Sequence, residues 1–98
     1  MPTRVRIEEV LAYLGVEDRN LLEALRREGL FEEDLLEGDA AEELRVATCL
    51  IRELGVNPAG VDVILHLRRR LLVLQQRMNE TMRRLLDELE PAERGREE

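Results

Sequence analysis

Leu54-Gly55-Val56-Asn57-Pro58-Ala59-Gly60-Val61 is the stretch on which the fold turns. Gly55 suits the left-handed close of one helix. Asn57 can cap the free amides of the next helix, and Pro58 fits a first-turn position where a missing N–H costs nothing. A helix that opens at Pro58 meets no further proline until Pro91. Such a helix runs to about 32 residues, or about 48 Å at 1.5 Å per residue. That is too long to lie wholly on the core of a 98-residue chain.

The apolar residues downstream predict what the excess length does. Ile64, Leu67, Leu71, Leu74, Met78 and Leu85 follow the three-and-four spacing of a heptad, and such a stripe needs another helix. Thr81 and Glu88 interrupt the spacing while Met82 and Leu89 sit one position further on, which points to imperfect or antiparallel pairing rather than a regular zipper. Glu80 with Arg84, and Arg83 with Asp87, are spaced to support the helix by about 0.2 to 0.5 kcal/mol each. Ile64, Leu67, Leu71, Leu74 and Met78 are therefore the expected oligomerisation residues, and a homodimer is the simplest assembly. Residues 58–90 form the oligomerisation helix in this reading. The charged tail 91–98, with Gly95 in it, is expected to be disordered.

Upstream, residues 1–57 read as a three-helix head. Val5, Ile7, Val10, Leu11 and Leu14 predict one face of a first helix stopping at Gly15. Asp18 can cap a second helix from Arg19 to Glu28, with Leu21, Leu22 and Leu25 inward and Gly29 as terminator. The two together outline a helix-turn-helix. Phe31 to Gly38 is a short acidic connector. Asp39 and Glu42 have the spacing of a capping box for a third helix, which carries Leu44, Ala47, Leu50, Ile51 and Leu54 to Gly55. The fold class expected is all-α.

Composition narrows the function. Phe31 and Tyr13 are the only aromatic residues, so the core must be aliphatic. The single cysteine, Cys49, rules out an intrachain disulfide and a cysteine-based zinc site within one chain, and is expected to pack as a small apolar residue. His66 lacks the companions a metal site needs. Arg68-Arg69-Arg70 point about 100° apart on a helix, which favours arginines snorkelling beside the Leu67 to Leu71 seam over a phosphate patch. A net charge of −7 argues against a protein devoted to neutralising a duplex. No positioned base stands near Thr48 or Thr81 and no glycine-rich phosphate loop is present, so neither an enzyme nor a cofactor is expected. Without a signal peptide or an apolar run long enough to span a bilayer, a cytoplasmic location and no membrane partner are expected.

The order of parts resembles the MerR-like DNA-binding architecture. The residues that carry the likeness are Leu14-Gly15-Val16 at the turn, Glu28-Gly29-Leu30 at the close of the second helix, and Leu54 to Val61 at the junction, continuing through Val63-Ile64-Leu65. This junction is similar to that of the HspR heat-shock repressors and of the chaperone modulators (CbpM), a neighbourhood that includes the DnaK-DnaJ assembly factor DafA. The resemblance covers roughly Val5 to Leu74. It implies a helix-turn-helix with a reduced or absent wing, followed by a long dimerising helix.

Departures from the DNA-binding pattern decide between the branches. Where repressors of this architecture carry a Leu-Arg-Tyr-Tyr pattern on the second helix, this chain has Leu22-Glu23-Ala24-Leu25. Where the basic, aromatic wing should lie, residues 31–38 hold four acids and no base, and Glu28 to Leu44 hold eight acids and no arginine. Arg26 and Arg27 are the candidate phosphate contacts left, offset by Glu23 and Glu28. The resemblance therefore implies a regulator of the DnaK-DnaJ (Hsp70-Hsp40) system that binds the co-chaperone's basic J-domain, or joins DnaJ to DnaK. Glu23, Phe31, Glu32, Glu33, Asp34, Leu35 and Leu36 are the expected partner-binding residues. The alternative is an HspR-like repressor that binds DNA as a dimer.

Overall fold

The structure is a computed structural model that describes residues 3–97, with side chains described as far as residue 89. The element order is β1 (Arg4–Arg6), α1 (Ile7–Tyr13), α2 (Arg19–Arg27), β2 (Leu35–Glu37), α3 (Gly38–Leu54) and α4 (Pro58–Glu97). The described residues are thus mostly helical, consistent with the expected all-α class, with one small two-stranded sheet besides. The chain divides into two units, Met1–Leu65 and His66–Glu98.

The first unit holds the core: Ile7, Leu21, Leu25, Leu30, Leu36, Leu44, Ala47, Val61 and Leu65 are buried. Leu21 and Leu25 lie one helical turn apart, as do Val61 and Leu65, so α2 and the start of α4 each present one narrow apolar stripe. α1 and α2 end alike. Val16 N–H donates to the Leu11 carbonyl at 2.9 Å, and Leu30 N–H to the Leu25 carbonyl at 3.1 Å. Each bond closes a Schellman turn around a left-handed glycine, as at Gly29 with φ +80°.

Three expectations are corrected. Val5 belongs to β1 and not to the first helix: β1 pairs antiparallel with β2 in the register Arg4 to Glu37, Val5 to Leu36, Arg6 to Leu35. The alternation of Leu35 outward, Leu36 inward and Glu37 outward is the strand signal inside the supposed connector. No capping box opens α3. The cap position is Glu37 without a side-chain bond, and Glu42 turns instead to Arg45, with Arg45 Nη2 donating to Glu42 Oε1 at 2.6 Å. Leu54, expected inward, is 70 % exposed.

The junction follows the sequence closely. α3 stops at Gly55 with φ +68°, α4 opens at Pro58, and Gly60 N–H donates to Asn57 Oδ1 at 2.7 Å. In the second unit the backbone is helical through residue 97, and the large apolar side chains on it are exposed. The tail expected to be disordered, residues 91–98, lies outside those whose side chains are described.

Candidate partner-docking surface

The acidic segment after α2 is held in place by one arginine. Arg26, in the last turn of α2, donates from Nε to the Phe31 carbonyl at 2.9 Å and from Nη2 to Asp34 Oδ1 at 3.0 Å. Phe31 takes a left-handed backbone at φ +53°, a conformation that costs a non-glycine residue energy and persists only where its surroundings hold it. Here the hold comes from the Arg26 bond on its carbonyl and from its ring, half-buried against the core. On the far side of the segment Ile7 N–H donates to the Asp34 carbonyl at 2.8 Å, and the β1–β2 pairing begins. Residues 31–34 are therefore pinned at both ends.

That pinning places Glu32, Glu33 and Asp34 in water, with Leu35 beside them 48 % exposed. Glu23, also exposed, stands one turn before Arg26 and so on the same side of α2. Leu36 does not join them. It is 4 % exposed and packs in the core, because β2 alternates and its middle residue points inward. As a docking anchor Leu36 is withdrawn, and Phe31 offers only the half of its ring that the core leaves free.

Tertiary contacts also bring arginines to this acidic stretch that the linear sequence keeps away from it. Arg4 Nη2 approaches Glu37 Oε1 at 3.9 Å across the sheet, Arg6 stands opposite Leu35, and Arg26 takes Asp34. Among the described residues Glu32 and Glu33 have no ion-pair partner. Arg26, a candidate phosphate contact by sequence, has its guanidinium directed at its own chain. Nothing in the sequence marks this role, which depends on the turn that reverses the chain at Gly29.

An open concavity of about 490 Å³ elsewhere in this unit is lined by Leu14, Arg45, Thr48, Cys49, Arg52 and Glu53. Its polar groups are already engaged with one another. Arg52 Nη1 donates to the Leu14 carbonyl at 3.1 Å, the Thr48 hydroxyl to the Arg45 carbonyl at 2.9 Å, and the Cys49 thiol to Glu53 Oε2 at 3.2 Å. The bond to Glu53, with burial and the carboxylate's charge behind it, raises the Cys49 pKa and keeps the thiol protonated. Arg45 is held in its charged form by its bond to Glu42. No group of three or more metal-ligating side chains gathers among the described residues, and none of the described helices is long and apolar enough to cross a membrane. Compared with protein-family models, with curated proteins and with solved structures, the chain matches none.

Proposed function

We propose that this protein is a non-enzymatic regulator of the DnaK-DnaJ chaperone system that docks a basic J-domain surface on its acidic segment and self-associates through its long helix. The observation that carries the reading is the preorganised acidic loop, in which Glu32 and Glu33 stand in solvent without an ion partner among the described residues while Arg26 is already committed to Phe31 and Asp34. A cationic partner gains from such a surface twice: opposite charge speeds encounter, and a loop already held in shape loses little entropy on binding. Leu35 and the free part of Phe31 supply apolar contact at its centre. A duplex would meet the same carboxylates as repulsion.

The mechanism is occupancy. Covering the J-domain, or holding DnaJ beside DnaK, controls whether the co-chaperone stimulates the partner's ATP hydrolysis, and this chain contributes contact only. Titration calorimetry of the full chain against purified DnaJ tests the reading, with a promoter duplex from its own operon as the second arm. Binding to DnaJ that weakens as salt rises, with no binding to the duplex, is the expected result. Tight duplex binding with a steep loss in salt establishes the repressor reading instead.

A further inference from the structure

Residues 71–74 read Leu-Leu-Val-Leu, and at about 100° per residue four consecutive side chains encircle a helix. A helix that is apolar all round is one covered on more than one side. Leu71 and Leu74 belong with Leu67 and Met78 to the stripe proposed for self-association. Leu72 and Val73 point away from that stripe, each about 130° round from its centre, on either side. They stand 43 % and 46 % exposed, and a second helix laid along the stripe leaves both in water.

The residues one turn away give this far side its charge. Arg68 precedes Leu72 by four positions and Arg69 precedes Val73 by four, while Gln76 and Arg77 follow them by the same interval. Residues 66–79 hold four arginines and no acid, and Glu80 closes the patch on its C-terminal side. Arginine stems lie along aliphatic neighbours and keep their guanidinium heads in water. The far side is thus a pair of aliphatic side chains framed by cations.

We propose that Arg68, Arg69, Leu72, Val73, Gln76 and Arg77 form a second docking surface, and that it takes an acidic protein surface with an apolar centre. Its sign is opposite to that of the loop around Glu32 and Glu33, so the two surfaces select different partners. A second copy of the chain is a poor occupant. Pairing Leu72 and Val73 on themselves sets Arg68 against Arg77 in antiparallel order, and each arginine against itself in parallel order. A bilayer needs an apolar face that runs on along the helix, whereas here Leu72 and Val73 give way to Gln76 and Glu80. A duplex would engage the arginines and leave the aliphatic pair uncovered. An acidic protein with an apolar centre meets both needs: its carboxylates steer the approach, and the aliphatic contact excludes water at the middle.

This surface uses neither the acidic loop nor the stripe, so it stands apart from both halves of the function above. The probe is a synthetic amphipathic helix, leucine on one face and glutamate on the other, labelled and titrated with the full chain by fluorescence anisotropy. Binding that weakens as salt rises is expected. Leu72→Gln with Val73→Gln, or Arg68→Glu with Arg77→Glu, should each weaken it roughly tenfold, with helicity by circular dichroism retained. Leu71→Gln with Leu74→Gln should leave it unchanged. Loss in that stripe variant alone places the peptide on the stripe and overturns the proposal, as does a peptide that fails to bind or that ignores the far-side variants. Polyglutamate bound as tightly as the peptide shows that charge alone suffices, and overturns it too. Vesicles of phosphatidylglycerol, or a mixed-sequence duplex, bound more tightly and with the same losses would assign the patch to lipid or nucleic acid instead. A lower mass by light scattering for Leu72→Gln with Val73→Gln would show that a further copy of the chain covers this side, against the proposal.

Discussion

Arg26 is the residue on which the acidic segment depends, and its two bonds differ in worth. The Nε bond to the Phe31 carbonyl is partly buried and charge-assisted. The pair with Asp34 is open to water on the carboxylate side, where ion pairs contribute little. Arg26→Ala should therefore lower unfolding free energy by about 1–2 kcal/mol in urea titration, whereas Asp34→Asn should cost under about 0.5 kcal/mol. Equal effects would mean that the surface pair and not the Phe31 bond holds the loop. Cys49 offers a prediction in pH. Its thiol is bonded to Glu53 and its pKa is raised, so thiolate appears at higher pH than in an ordinary cysteine. Alkylation by iodoacetamide at about pH 8 should be slower than for free cysteine, and Glu53→Gln should speed it by moving the pKa back down.

At the scale of the element, the junction between α3 and α4 is set by local chemistry. Gly55 sits at φ +68° with open space where a Cβ would stand, so Gly55→Ala strains only the backbone. A loss of about 1 kcal/mol is expected by thermal or urea unfolding, with Gly55→Asn costing less because asparagine tolerates the left-handed region. Asn57→Ala removes the acceptor of the Gly60 amide and should cost about 1 kcal/mol. The β1–β2 pair is a different kind of element. Three residues per strand carry almost no periodicity, and Val5 fits a helix face with Ile7, Val10 and Leu11 as well as it fits a strand. What selects the strand is Leu36, which needs a buried place and finds it only when the chain before α3 runs extended beside residues 4–6.

For the whole molecule, the predictions concern association. Leu71, 63 % exposed, belongs to the stripe proposed for self-association, where Leu71→Glu would place a carboxylate. Light scattering should then report a monomer with helicity largely retained, and an unchanged mass would remove Leu71 from the interface. Charge reversal at the proposed docking surface, Glu32→Arg with Glu33→Arg, tests the proposed DnaJ binding, which it should weaken by roughly tenfold or more with a flatter salt dependence. Stability should change little, since neither carboxylate has an ion partner among the described residues.

The sequence by itself determined the features that are local in cause. Helix ends are written in Gly15, Gly29, Gly55, Asn57 and Pro58, because capping and left-handed turns are chosen within a few residues of chain. The apolar stripe of α4 was legible for the same reason, since a repeat along one helix needs no knowledge of anything else. Tertiary structure decided what depends on residues far apart in the chain: the pairing of β1 with β2, the burial of Leu36, and the exposure of Leu54. It also decided which arginines stand beside the acids. In the linear sequence Glu28 to Leu44 contains no base, but folding carries Arg4, Arg6 and Arg26 to its edge, and only the turn at Gly29 and the sheet register set how many carboxylates stay free.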